Sequence, residues 1–247
     1  MGNYVIIRLR LRRSISIIIP AYNEAKRLPG TLGILQEYFA RGAWEFTEII
    51  VVDDGSRDDT GRIASQAGVR VVVNPGNRGK GYSVRHGMLE AKGEWALATD
   101  ADLSAPIEEL EKLWSAAGRE NAEVAFGSRA LDRSLIGVHQ PRFREEIGRV
   151  FNLIMRCITG LPFHDTQCGF KLFQTRAARE IFSRQRLDGF GFDVEALYIA
   201  RHLGYQCLEV PVKWNDVAGT KVSLWRGMAA FLDPVKVRWN GILRKYQ

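Results

Sequence analysis

Five short runs of apolar and β-branched residues mark the first half of the chain: Ile15 to Ile19, Glu48 to Val52, Val69 to Val73, Trp95 to Thr99 and Glu123 to Gly127. Each is bounded by Gly, Pro, Asp or Asn, and the pattern predicts strands. Between them, apolar residues recur at helical spacing over Leu28 to Arg41, Thr60 to Ala67, Tyr82 to Ala91 and Ile107 to Ala117. Asp58 and Asp59 are capping candidates for the second of these helices, and Pro106 opens the fourth. Strand alternating with helix predicts right-handed crossovers and a mostly parallel twisted α/β sheet covered by helices on both faces. Beyond residue 140 the alternation weakens. Helices are expected over Phe143 to Ile158, Thr175 to Ser183 and Val194 to His202, with a loop and strand over His164 to Phe173 and a strand over Gln206 to Trp214. No internal repeat or linker interrupts the sequence.

Parallel sheets bind ligands beyond the carboxyl ends of their strands. Polar clusters follow all five runs: Pro20 to Glu24, Asp53 to Ser56, Asn74 to Gly81, Asp100 to Asp102, and Ser128-Arg129. Asp100 and Asp102 end an apolar strand, where alternate side chains point the same way and unpaired burial is costly. A hard cation, Mg²⁺ or Mn²⁺, shared with a substrate diphosphate, is one partner for such acids. A solvated acidic turn is the other reading of that triplet taken alone. Asp53 and Asp54 can accept hydrogen bonds from ribose or a base, Tyr22 offers a stacking face, and Glu24 is a further acceptor. Asn77 to Gly81 can bring backbone N–H groups and the Lys80 cation near phosphate. The loop lacks the Gly-Lys-Ser/Thr ending of a nucleotide-triphosphate loop, and no Gly-x-Gly-x-x-Gly follows a strand.

Taken in order, Pro20 to Glu24, Val51 to Ser56, Asn77 to Gly81, Asp100 to Asp102 and Gly127 to Arg129 resemble the inverting family 2 glycosyltransferases of GT-A fold. Asp165 to Phe173, Phe192 to Glu195 and Gly219-Thr220-Lys221 resemble more narrowly the dolichyl-phosphate β-glucosyltransferases and their prokaryotic polyprenyl-phosphate relatives. The resemblance covers the chain from about Ser14 onward. It implies a UDP-sugar donor held by Pro20, Tyr22, Asn23, Glu24, Asp53, Asp54, Lys80 and Asp100. Asp102 would be the main protein ligand of Mg²⁺ or Mn²⁺, with Asp100 on the donor's ribose or sharing the ion. Arg129, Arg144 and Lys221 would handle the acceptor phosphate or donor diphosphate, while Asp165, Gln167 and Asp193 line the sugar and acceptor end. Arg144 is equally read as a helix-surface ion pair, and Asp193 as a helix N-cap. The implied reaction is a single in-line displacement that moves glucose to a polyprenyl phosphate with inversion. GDP-mannose as donor, or a hydroxyl acceptor with Asp193 as base, are the competing enzymatic readings.

Charge refines this picture. The formal net charge of +7 is carried at the ends. Residues 1–13 hold four arginines and no acid, and residues 221–247 hold six cations against Asp233. An anionic surface is the implied partner of such ends. The acids at the sheet edge argue against nucleic acid, so a non-catalytic nucleotide-sugar or nucleic-acid binding module is only the remote alternative. The expected organisation is a basic extension (residues 1–13), a catalytic domain (14–220) and a basic amphipathic segment (221–247). In that last segment Leu224, Met228, Phe231, Leu232, Val235, Trp239, Ile242 and Tyr246 recur at helical spacing. It suits either a bilayer interface or packing on the core, with Pro234 kinking or dividing it. The N-terminal membrane helix of the eukaryotic glucosyltransferases has no counterpart here, and no run reaches the roughly 18 apolar residues of a membrane-spanning helix. The chain is thus expected on the cytoplasmic face of a membrane, as a peripheral protein. Cys157, Cys168 and Cys207 form no metal or disulfide pattern, and Cys168 is expected in the core. Oligomeric state is not legible.

Overall fold

The computed structural model describes residues 13–138, 142–217 and 232–247. Its first half alternates as expected: β1 (Ser14–Ala21), α1 (Leu28–Arg41), β2 (Phe46–Asp53), α2 (Thr60–Gln66), β3 (Arg70–Val73), α3 (Lys80–Glu90), β4 (Trp95–Ala98), α4 (Leu110–Glu120) and β5 (Val124–Ser128). A 3-10 turn, Ile107–Glu109, precedes α4. Next come β6 (Ile136–Val138), α5 (Arg142–Thr159), β7 (Lys171–Gln174), α6 (Thr175–Arg184), α7 (Phe192–His202), β8 (Cys207–Pro211), β9 (Trp214–Asn215) and α8 (Asp233–Ile242).

Seven strands form one sheet in the order β3-β2-β1-β4-β7-β5-β8, and β6 pairs with β9 beside it. The strands read as continuous apolar runs because both faces are covered. Ile18, Ile50, Val52 and Phe126 join Val84 and Met88 of α3, Ile181 of α6 and Leu197 of α7 in one core. Their neighbours Ile17, Ile19, Val51 and Leu97 face the opposite way and join Leu32 and Leu35 of α1 with Leu113 and Trp114 of α4. Alternate residues thus serve separate cores, as the two-residue period of a strand requires.

One strand departs from the parallel pattern. β7 is antiparallel to both neighbours, with Leu172 opposite Leu97 on β4 and opposite Ala125 on β5. Its first residue, Lys171, lies opposite Ala98 at the carboxyl end of β4. The reversal therefore carries the Asp165 to Lys171 segment to the edge where the other strands present their polar clusters.

Pro234 stands in the first turn of α8, at a position that needs no N–H, and α8 begins there. One local expectation is corrected. Asp193 is not an N-cap, since α7 begins at Phe192 behind Gly191 and the Asp193 side chain bonds Lys171. Residues 218–231, which include Leu224, Met228, Phe231 and Lys221, lie outside the described residues.

The turn entering β4 depends on close backbone packing. A Cβ on Gly93 would stand 2.5 Å from the Ile15 carbonyl carbon, and its N–H donates to Ser16 Oγ at 2.8 Å. Backbone cannot yield there as a flexible side chain would. Gly93→Ala is expected to lower stability by about 1–3 kcal/mol, measurable as a lower urea midpoint with an unchanged slope.

Candidate active site

β1, β2 and β4 end at one rim, and above it opens a cavity of about 610 Å³. Pro20, Tyr22, Glu24, Asp54, Lys80, Asp100 and Asp102 all line it. The opposite wall is the segment from Arg186 to Phe190, with Asp233 and Lys236 of α8 at its margin.

Asp54, only 4% exposed, holds the third strand end in place. Its carboxylate accepts from Asn74 Nδ2 at 2.8 Å and from the backbone N–H groups of Arg78 and Gly79 at 2.8 and 2.9 Å. Those two N–H groups are consequently engaged by protein, and Asn77, Arg78 and Lys80 of this loop line the cavity. Asn74 also bonds Ser83 Oγ and His86 Nδ1, which ties the end of β3 to α3. Gly79 adopts φ +106°, and a Cβ there would stand 2.5 Å from the Asp188 carbonyl oxygen, so the loop and the opposite wall approach closely. Asp53 turns away and caps its own turn through Ser56 N–H at 2.9 Å. Asn23, in the left-handed region at φ +54°, accepts from Arg57 N–H at 2.7 Å. Glu24 pairs with Arg27 at 3.0 Å.

Asp100 and Asp102 do not alternate along a strand, because β4 stops at Ala98 and the chain turns, with Leu103 N–H bonded to Asp100 C=O and Leu103 at φ +47°. The turn still leaves both carboxylates partly exposed on the cavity wall. Asp100 pairs with Lys80 at 2.6 Å, and Asp102 accepts from Ser104 N–H at 3.0 Å. Asp100 lies directly against Gly169, where any Cβ would collide with its carboxylate. Burial works against the Lys80 charge, yet Asp100, then Asp193 and Asp102, hold its ammonium above the usual lysine range.

Behind this group lies a second pair. Lys171, 2% exposed within an apolar strand, donates to Asp193 and to Cys168 C=O at 2.5 Å. Burial pushes the Asp193 carboxyl up in spite of Lys171 and Lys80. A gap of about 10 Å³ separates Lys80, Asp100, Lys171 and Asp193, roughly the space of one water. Cys168 is a core residue as expected, its thiol pushed up to about 11 by burial.

Arg129 and Asp165 form a third pair beyond the cavity lining. Arg129 donates to Asp165 from its backbone N–H at 3.0 Å, from Nε at 2.7 Å and from a terminal guanidinium nitrogen at 2.8 Å. Gln167 N–H adds a bond at 3.2 Å, and the Trp214 ring lies under the guanidinium at 5.4 Å. Although burial opposes the Asp165 charge, Arg129 holds its carboxyl below the usual range. The Arg144 side chain and Lys221 lie outside the described residues.

Asn74 stands in the third polar cluster, and Gly169, Lys171 and Glu195 stand in the segments of family resemblance, but the sequence pattern gives none of them an individual role, nor any to the Arg186 to Phe190 wall. Lys171 did carry a signal, a lone cation between Phe170 and Leu172 in an apolar run. The wall carried none.

Metal binding can be judged from the donor set. No cluster of three or more His, Cys, Asp or Glu ligands occurs among the described residues. Mg²⁺ and similar hard cations instead use one or two carboxylates, waters and substrate phosphates. Two partly exposed carboxylates on a diphosphate-sized cavity fit that mode.

Asp165→Asn is expected to lower stability at neutral pH by about 3 kcal/mol, the low end for a broken buried pair because Arg129 keeps part of its side chain in water. The depressed folded-state carboxyl contributes stability above the unfolded value of about 3.9, and that contribution is lost as pH falls through the lower folded titration. The variant should therefore show a flatter acid limb in stability measured from pH 2 to 7.

Comparison with known proteins agrees with this geometry. The model of the family "Glycosyl transferase family 2" matches residues 16–182. A dolichyl-phosphate beta-glucosyltransferase from Trichomonas vaginalis is 36% identical over 235 residues, covering 90% of this chain and 70% of that protein. The human dolichyl-phosphate beta-glucosyltransferase is 34% identical, covering 92% of this chain and 75% of its own. Among solved structures, glucosyl-3-phosphoglycerate synthase from Mycobacterium tuberculosis in complex with Mn²⁺ and UDP-glucose superposes with a TM-score of 0.66 at 20% identity, covering 94% of this chain and 79% of that one. At that identity the likeness concerns the GT-A fold alone. With the matched family model spanning most of the sheet and every cavity-lining strand end, the chain belongs to glycosyl transferase family 2 and is a glycosyltransferase.

Proposed function

We propose that the enzyme transfers glucose from UDP-glucose to a polyprenyl phosphate of dolichyl type, with inversion, aided by Mg²⁺ or Mn²⁺. The observation that carries this reading is the cavity at the carboxyl ends of β1, β2 and β4, where Asp100, Asp102 and Lys80 converge on a space suited to a nucleoside diphosphate. The names of the relatives, at about one-third identity over most of the chain, supply the sugar and the lipid.

A lipid phosphate oxygen is already anionic near neutral pH, so it needs no base to attack the anomeric carbon. Asp193 fits that economy, because its carboxylate is held by Lys171 and is 4% exposed. A hydroxyl acceptor would need a base free to receive a proton, which disfavours that reading. The chain's work is then positioning and charge. Lys80 faces the donor diphosphate, Asp100 fixes the Lys80 ammonium, and the wall from Arg186 to Phe190 closes the far side of the cavity. Asp102, seconded by Asp100, would hold the divalent cation, which supplies Lewis-acid neutralisation of the departing diphosphate.

The surface supports access to a lipid acceptor. On α8 Leu232, Val235, Trp239 and Ile242 are exposed, with the cations Lys236, Arg238 and Arg244 beside them. The adjacent α5 adds exposed Phe143, Val150 and Leu153. No helix among the described residues is long and apolar enough to cross a membrane. Such a basic, apolar face suits the interface of an anionic bilayer.

The deciding assay combines UDP-glucose, a short polyprenyl phosphate and Mn²⁺ or Mg²⁺, and reads lipid-linked glucose. Wild type is expected to form it and Asp102→Asn to lose at least about a hundredfold in kcat with an unchanged melting temperature, as for removal of a key electrostatic contact. Near-normal turnover in the variant would remove the metal role from Asp102. Trp239→Ala is expected to weaken sedimentation with anionic vesicles roughly tenfold, given the apolar area lost. Unchanged sedimentation would place membrane contact elsewhere.

A further inference from the structure

The residues after α8 reach back to the wall of the cavity. Tyr246 is 1% exposed, and its hydroxyl donates to Glu195 Oε1 at 2.7 Å. Glu195 is fully buried on α7, and its other oxygen accepts from the backbone N–H groups of Arg186 and Leu187 at 3.1 and 2.8 Å. Those two residues begin the wall that closes the cavity opposite Lys80. The Arg186 guanidinium in turn donates to Lys245 C=O at 3.1 Å, so the contact is made from both sides.

The wall is equally tied to α3. Tyr82 N–H donates to Asp188 C=O at 3.1 Å, Arg85 pairs with Asp188 at 2.9 Å, and Gln185 Nε2 bridges Gly81 C=O and Leu187 C=O at 2.9 and 2.8 Å. A Cβ on Gly81 would stand 2.5 Å from Leu187 C=O, which leaves the wall no room to shift independently of the helix that carries Lys80. Gly191, just beyond the wall, meets α8 in the same way, its Cβ position 2.5 Å from Asp233 Cβ.

We propose that Tyr246 and Glu195 form a positioning latch, through which the C-terminal segment sets the Arg186 to Phe190 wall and with it the donor pocket. Neither side chain lines the pocket, so the effect is indirect. A buried carboxylate has few ways to be satisfied, and among the described residues Glu195 is satisfied by the wall and by Tyr246. The latch also links the wall to α8, whose outer face carries Trp239, so a displacement of that helix would be felt at the donor site. This inference rests on the donor assignment only for its kinetic consequence, since the latch itself is a property of the wall.

Two measurements test it. Hydrogen exchange of the Arg186 and Leu187 amides in the full chain without ligand should accelerate at least tenfold in Tyr246→Phe and Glu195→Ala, while β1 and β2 amides keep their protection, because a hydrogen bond to a charged group is worth about 1.5–3 kcal/mol. Unchanged exchange at those two amides would overturn the latch whatever the donor proves to be. UDP-glucose KM should rise about tenfold in both variants with kcat within about threefold, the split expected when ground-state positioning is lost. Glu195→Gln should recover near-wild-type KM, since its amide oxygen accepts from the two N–H groups while its NH₂ donates to the tyrosine oxygen. Equal loss in Glu195→Gln and Glu195→Ala, or a fall in kcat with KM unchanged, would overturn the positioning role. If wild type itself binds no UDP-glucose, the donor reading fails, and the exchange measurement still decides the latch.

Discussion

Carboxylates withdrawn from water must find partners, and at this sheet edge that requirement organises nearly everything else. Asp54 is satisfied by the loop that starts α3, Asp165 by Arg129, Asp193 by Lys171, and Glu195 by the cavity wall and Tyr246. Each acid thereby fixes one otherwise free stretch of chain. Asp100 and Asp102 stand apart from these four, since they remain partly exposed to the cavity. The scaffold consumes these four acids internally and leaves two carboxylates on the cavity wall, Asp100 paired with Lys80 and Asp102 bonded to Ser104 N–H.

The antiparallel strand β7 is what makes the arrangement possible. A purely parallel sheet would place the start of each strand at the amino edge, far from the clusters that follow β1, β2 and β4. Reversing β7 brings Gly169 against Asp100 and Lys171 under Asp193. The Lys80 and Lys171 ammonium groups then sit among three acids across a gap with room for roughly one water.

Much of this was legible in the sequence. The β-branched runs around Ile17, Ile50 and Leu97 gave the strands because burial on both faces leaves little choice of residue. The clusters after them gave the cavity rim, including Tyr22, Asp54, Lys80, Asp100 and Asp102. The direction of β7 was not legible, since a strand of four residues carries no mark of its orientation. Nor was the function of Asp54: an acid at a strand end reads as a ligand acceptor, and only the fold shows that Arg78 and Gly79 N–H groups turn toward it. The Glu195 to Tyr246 contact joins residues 51 positions apart, beyond the reach of local pattern. The segment from α8 onward mixes the two environments the sequence left open, with Val237 and Tyr246 buried and Trp239 exposed.

The central claim is that protein and nucleotide each provide part of one cation site at Asp102 and Asp100. Mn²⁺ binding followed by electron paramagnetic resonance, with and without UDP, tests it directly. Weak binding to the protein alone should tighten at least about tenfold when UDP is present, because the diphosphate supplies the missing oxygen ligands. Mn²⁺ affinity that does not respond to UDP would contradict the account.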